Sequence, residues 1–177
     1  MPARTLAELG ELLPAYARDT RGNLERIVAT PGPHLTPRQH WGTVLAVAAA
    51  VRSPSATPAL AFEARSRLEP TVVGAALGAA SVMATNNVYF RARHLLQYDG
   101  LRAGLRMPLA GGSGAPRVDY ELWCAAVSAV SGCESCLAEH EGSARAAGAT
   151  REAVHDALRV AAVVAGAAAV LDAATLL

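Results

Sequence analysis

Apolar positions along the chain recur at three- and four-residue intervals, the spacing that lays one face of a helix on a core. Leu13, Tyr16, Leu24 and Ile27 follow such intervals near the start. Thr5-x-x-Glu8 has the form of a capping box that opens a first helix, with Pro14 restarting it. After a loop from Thr30 to Pro33, Thr36-Pro37-Arg38-Gln39 combines an N-cap, a proline at the first helical position and a capping glutamine. The helix that follows is predicted to run through Trp41 to about Val51. Ser53-Pro54 opens another, and Pro70 starts a long one that carries Asn86 and Asn87.

From Tyr98 to Pro116 glycine content rises and periodicity vanishes, the mark of a connector. Asp119 is predicted to cap a helix from Tyr120 to about Val130. Ser131-Gly132 breaks it, and the next helix begins around Cys133 and ends near Gly148. Thr150 caps the last one, which carries His155, Leu158 and Val163. Period-two alternation is absent, so the expected fold class is all-α.

A weak internal repeat adds to this picture. Gln39-His-Trp-Gly42 precedes an alanine-rich helix, as Glu121-Leu-Trp-Cys124 does, and each is followed by a break, a shorter helix and a long alanine/valine helix. The chain then reads as one domain: a thiol-free half over 1–97, a connector over 98–116 and a thiol-bearing half over 117–177. Alanine enrichment alone produces the same pattern, and the sequence leaves both origins open.

Composition narrows the function classes. The 177 residues are 52% hydrophobic and 18% charged, too apolar for a disordered chain. Lysine is absent and Ile27 is the sole isoleucine, a bias that fits GC-rich codons and inflates every alanine count. The net charge is +1 and the arginines are scattered, so no basic stripe for nucleic acid is present. The N-terminus carries acids and no uninterrupted apolar stretch, unlike a signal peptide. The run from Val160 to Leu171 is read as too short and alanine-rich to cross a bilayer. A cytoplasmic protein is therefore expected, and three cysteines there point to metal binding or catalysis rather than a disulfide framework.

The chemistry concentrates in Cys133-Glu-Ser-Cys136-Leu-Ala-Glu-His140. On a helix, residues three and four apart share a face, so the two thiols and the imidazole form one stripe. Both sulfurs fall in the first turn, where free N–H groups and the helix dipole stabilise a thiolate. His140 is one turn beyond Cys136, placed to exchange a proton with the thiol directly or through water. Glu121, on the preceding helix, is placed to fold back and orient His140.

Other readings compete at each residue. Cys-x-x-Cys is half of many zinc sites, but Cys124 is alone and His34, His40, His94 and His155 lack ligand spacing. Simple packing of two thiols fits poorly with the polar Glu-Ser pair between them. Cys124 itself reads as a small buried hydrophobe, and Trp41 and Trp123 as core. Glu134, Glu139 and Glu141 read as a solvated face. Asn86-Asn87 is open to a pocket wall, a capping role or solvation.

At these residues the chain resembles the AhpD family of alkyl hydroperoxidases, partners of the peroxiredoxin AhpC. The resemblance covers essentially the whole chain. It includes Leu13 to Ala17, Gln39-His-Trp-Gly-Thr43, Ala75-Ala-Leu-Gly-Ala79, Asn86-Asn-Val88, Gly104-Leu-Arg-Met107, Glu121-Leu-Trp123 and Gly132-Cys-x-x-Cys-Leu-x-x-His140-Glu. Only the last is specific alone; order and spacing carry the rest. The wider carboxymuconolactone decarboxylase-like superfamily shares the fold and the short thiol motif.

The resemblance implies an all-helical subunit, usually a homotrimer, with no bound metal or haem. It implies reduction of hydroperoxides with dihydrolipoyl groups as reductant, and delivery of reducing equivalents to AhpC. The electron source would be a lipoylated dihydrolipoamide acyltransferase served by lipoamide dehydrogenase. By position, Cys136 would be the nucleophile that becomes a sulfenic acid and the site of an interchain disulfide with AhpC. Cys133 would be the proton donor and resolving thiol, closing the Cys133–Cys136 redox disulfide, with His140 and Glu121 as proton relay. A main role as lipoyl-to-AhpC adaptor with weak peroxidase activity is the alternative. A decarboxylase needs no thiol cycle, so the dithiol disfavours it. One departure matters: a branch of the family has histidine before the second cysteine, where this chain has Ser135, which cannot carry a proton as imidazole does.

Overall fold

The computed structural model describes residues 5–98, 100–106 and 114–176, and is helical with no strand among them. Helix α1 spans Leu6–Glu11, and the predicted capping box closes it from both sides. Glu8 N donates to Thr5 Oγ1 at 3.3 Å and Thr5 N donates to Glu8 Oε2 at 2.8 Å. Pro14 restarts the chain through one tight turn, Ala15–Ala17, into α2 (Arg18–Asn23) and a widened turn over Leu24–Val28. Helix α3 (Pro37–Val51) begins with the reciprocal Thr36–Gln39 box and ends at Arg52 in a left-handed conformation.

Two helix starts differ from expectation. Helix α4 is Thr57–Arg65, later than Ser53-Pro54 suggests, because Ser53 Oγ turns back to accept the Ala56 N–H at 3.0 Å and closes a separate turn first. Helix α5 follows as Pro70–Leu95. Helix α6 is Arg117–Ser131, and Asp119 lies inside its first turn rather than capping it. The Asp119 carboxylate is buried and accepts from Arg38 Nε and, at 2.8 Å, from Gln39 Nε2. It is spent on tying α6 to α3. Helices α7 (Glu134–Ala146) and α8 (Arg151–Ala174) complete the fold, the latter capped by Thr150 as predicted. Of the expected connector, Asp99 and residues 107–113 lie outside the described residues, as does Met107 of the Gly104–Met107 segment.

The core is built where α3 and α6 cross, with α5 and α8 laid against them. The crossing relates two similar three-helix arrays: α3 packs on α8 as α6 packs on α5. Gln39 faces Asp119, 80 residues on, and both central helices end in the left-handed region, at Arg52 and Gly132. This register differs by two residues from the one the tryptophans suggest, since the helix breaks rather than the indoles set the equivalence. Ser53-x-x-Ala56 then occupies in the first half the place of Cys133-x-x-Cys136 in the second.

Helix α8 is longer than the apolar run read from the sequence. Its 24 residues, with a mean hydropathy of 1.8 over the most apolar window, suffice by length and composition to span a bilayer. Here one face, Val160, Ala161, Val164, Ala167, Ala168 and Leu171, is buried in the protein core. Trp41 and Trp123 are both core residues, as expected.

Candidate active site

Gly132 makes the site possible. Its φ of 68° ends α6, letting the Cys133 N–H reach back to Ser128 O at 3.2 Å and the Gly132 N–H to Ala129 O at 3.2 Å. This six-to-one and five-to-two pairing is the Schellman closure, which favours glycine at the left-handed position. Cys133 thereby finishes α6 with its amide and starts α7 with its sulfur: Sγ accepts the Cys136 N–H at 3.4 Å as the N-cap of α7. The same cap in the first half uses the Ser53 hydroxyl.

Cys133 and Cys136 are joined by a disulfide, with Cα atoms 5.3 Å apart. Cys133 is 1% and Cys136 6% exposed, so both residues are buried. Cys136 Sγ lies 3.9 Å from the backbone carbonyl oxygen of Asn86. Ser135 is exposed, and its Oγ stands 3.7 Å from Cys133 Sγ. Asn86 and Asn87 are buried inside α5, which rules out the solvated and capping readings. Asn87 Oδ1 accepts from Ser128 Oγ at 3.1 Å, on the residue whose carbonyl holds Cys133.

The fold-back of Glu121 onto His140 is present. His140 Nδ1 and Glu121 Oε2 are 2.7 Å apart, and Glu121 is 4% exposed. A carboxylate so placed accepts Nδ1–H and fixes the ring as the tautomer with a free Nε2 lone pair. Arg117, one turn before Glu121, reaches its other oxygen at 3.2 Å. No hydrogen bond among the described residues joins His140 directly to a sulfur. The four residues singled out from the sequence thus form two pairs, Cys133–Cys136 at the start of α7 and Glu121–His140 beside its second turn.

Cys124 is fully buried on α6 and remains a free thiol. Burial pushes its pKa well above the ordinary thiol value, and the nearby Glu121 charge adds to this; the Tyr120 hydroxyl offsets only part. It is therefore held in the protonated form at neutral pH, unlike a thiol poised as a nucleophile. Among the described residues no group of three or more His, Cys, Asp or Glu is arranged to hold a metal ion.

Sequence reasoning missed Arg117, Ser128 and Arg91, whose Nη1 donates to Ser131 O at the end of α6, as parts of this neighbourhood. Arg117 was visible as an i,i+4 partner of Glu121. Asn87 and Arg91 share a face of α5, but nothing local says that this face meets the thiol turn.

Fold and site together define an all-helical protein with a dithiol/disulfide pair at a helix start and a carboxylate–imidazole pair one turn behind it. Residues 97–177 match the carboxymuconolactone decarboxylase family. The chain is 46% identical over 166 residues to the alkyl hydroperoxide reductase AhpD of Mycolicibacterium paratuberculosis, covering 93% of this chain and 92% of that protein. It is 46% identical over 176 residues to the protein of that name in Streptomyces coelicolor, covering 98% of each. With that of Frankia alni it shares 48% over 172 residues, 96% of this chain and 92% of the relative. The chain belongs to the AhpD family.

Proposed function

We propose that the protein is an antioxidant alkyl hydroperoxide reductase that works through the Cys133–Cys136 pair. The observation that carries this reading is the pair itself, capping α7 with the Glu121–His140 couple one turn behind. In the reduced state His140 Nε2 takes a proton from the thiol system, directly or through water, while Glu121 stabilises the imidazolium. Cys136 thiolate attacks a peroxide oxygen, the O–O bond breaks, and the alcohol leaves with a proton returned by Cys133 through the relay. Cys136 is then a sulfenic acid. The Cys133 sulfur displaces its oxygen as water and forms the disulfide. Two thiols of a dihydrolipoyl group reduce that disulfide and become a lipoyl disulfide, so two electrons pass per turn.

In the same reading AhpC is the partner, as the family resemblance implies, with Cys136, the more exposed residue of the pair, forming the mixed disulfide. The lipoylated acyltransferase and lipoamide dehydrogenase supply electrons, and the protein binds no metal or other cofactor. The cycle belongs in the reducing cytoplasm. A homotrimer would cover the apolar side chains left exposed at Leu95, Leu96, Tyr98 and Leu101. The adaptor reading, recycling AhpC with slow peroxidase turnover, draws support from Ser135, whose hydroxyl meets Cys133 where a branch of the family offers an imidazole.

A reconstituted assay with NADH, lipoamide dehydrogenase, lipoamide and cumene hydroperoxide, with and without AhpC, tests both. NADH oxidation without AhpC is the expected result. Oxidation only with AhpC supports the adaptor, and none in either case overturns the function.

A further inference from the structure

The helix break that presents the thiols also creates an electrostatic conflict. Helix α7 offers its positive N-terminal end to Cys133 and Cys136, which favours a thiolate. Helix α6 ends one residue earlier, so its negative C-terminal end faces the same sulfurs and opposes ionisation. Three of the last four carbonyls of α6 have identified donors. Ser128 O takes the Cys133 N–H and Ala129 O takes the Gly132 N–H. Ser131 O, the carbonyl nearest the break, takes Arg91 Nη1 at 2.6 Å.

Resting on the thiolate chemistry proposed above, we propose that Arg91 is a positioning residue that neutralises the C-terminal end of α6, so that the field of α7 governs the thiol pair. Its charge reaches the break from α5, four residues beyond Asn87, which holds Ser128. A Cβ added at Gly132 would stand 3.8 Å from the Arg91 guanidinium, which places that cation over the residue before Cys133. Other charged groups lie on the elements around the pair: on α5, Arg93 Nε donates to Tyr98 O and His94 is exposed, and on α7 Glu139 is exposed and Glu141 lies 3.9 Å from Arg145. On α7, Glu134 is exposed and His140 is bound to Glu121; on α6, Arg117 and Glu121 neutralise one another. Helix α8 brings Glu152 to the far end of α7, beside Arg145. Arg91 is the cation that meets the last carbonyl of α6. The first half makes the comparison plain: there Asp172 of α8, an anion, holds Ser53 and Ser55, at a turn that carries no thiol.

The test is the pH dependence of iodoacetamide alkylation of the fully reduced chain, read at Cys133 and Cys136 by mass spectrometry. Arg91→Met is expected to raise the midpoint by about 0.5 pH unit, roughly a threefold loss of thiolate below it. Arg91→Lys, which keeps the charge, is expected to restore most of the shift. Because Arg91 is exposed, 1 M salt should raise the wild-type midpoint by more than it raises that of Arg91→Met. An Arg91→Met midpoint equal to wild type overturns the proposal. So does an Arg91→Lys midpoint as high as that of Arg91→Met, since contact rather than charge would then be responsible. If a variant fails to fold, the wild-type salt response decides alone, and no upward shift rejects the proposal. The readout is independent of peroxide turnover, so a shifted midpoint in a protein without peroxidase activity would reject the proposed function and keep Arg91.

Discussion

Replacing Gly42 by alanine puts a methyl group into the ring of Trp123. A Cβ at this position would stand 2.5 Å from Trp123 Nε1, and closer still to Cε2 and Cζ2, where ordinary contacts begin near 3.4 Å. The indole is fully buried at the α3–α6 crossing and has to retreat by about 1 Å, a displacement of the overpacking kind that costs about 1–3 kcal/mol. The same retreat strains the hydrogen bond from Trp123 Nε1 to Gln39 O, at 3.1 Å, worth about 1 kcal/mol. Against this, alanine is the better helix former by about 1 kcal/mol. The net expectation is a loss of about 1–3 kcal/mol, or a fall in melting temperature of about 5 °C for a chain of this size. Gly166→Ala is the control, because its Cβ meets nothing within 4 Å and only the helix gain remains. Urea and thermal unfolding of the two variants beside wild type decide the matter. Gly42→Ala as stable as Gly166→Ala would refute the close crossing, and with it the placement of Glu121, two residues before that indole.

Three further outcomes follow from other residues. Burial holds the pKa of His40 below the ordinary 6.5, outweighing the Val28 carbonyl and the Asp156 charge, so His40 is neutral in the fold. As pH falls below 6.5 the unfolded chain binds a proton that the folded one does not. Stability should drop by up to about 1.4 kcal/mol per pH unit until the folded pKa is passed. His40→Gln should flatten that slope in urea titrations at successive pH values, and an unchanged slope would assign it elsewhere. Glu121→Gln should lower peroxidase turnover about 100-fold, the scale of losing a positioned proton relay, with circular dichroism unchanged; wild-type turnover would remove Glu121 from the relay. Ser135→His should raise peroxide turnover relative to lipoamide–disulfide exchange, and equal rates in both assays would show that Ser135 limits neither.

The helices were legible because their ends carry local chemistry. Thr5, Thr36 and Thr150 cap where the residue types say they should, and Gly132 breaks α6 for a reason visible in one residue. Asp119 was misread because the same carboxylate suits a cap or a tertiary tie, and the partners that decide it, Arg38 and Gln39, are distant in sequence. The start of α4 slipped because a serine cap can close a turn before it closes a helix. At the site, Cys133, Cys136 and His140 were readable from helical spacing alone. Glu121 was readable as a fold-back only because a break of known position separates it from His140. Arg91 and Ser128 were not readable, and Asn87 was one of several open readings, since their roles depend on α5 lying across the α6–α7 break, a packing fact that no local pattern encodes.

The central claim is that Cys136 is the atom peroxide meets and Cys133 the thiol that resolves it. Reduced Cys133→Ser protein, given one equivalent of hydroperoxide and a sulfenic-acid trap, tests this by peptide mass spectrometry. The account predicts a single adduct on Cys136, with Cys124 unmodified in its buried, protonated state. An adduct on Cys124, or peroxide consumed with Cys136 unmodified, would contradict it.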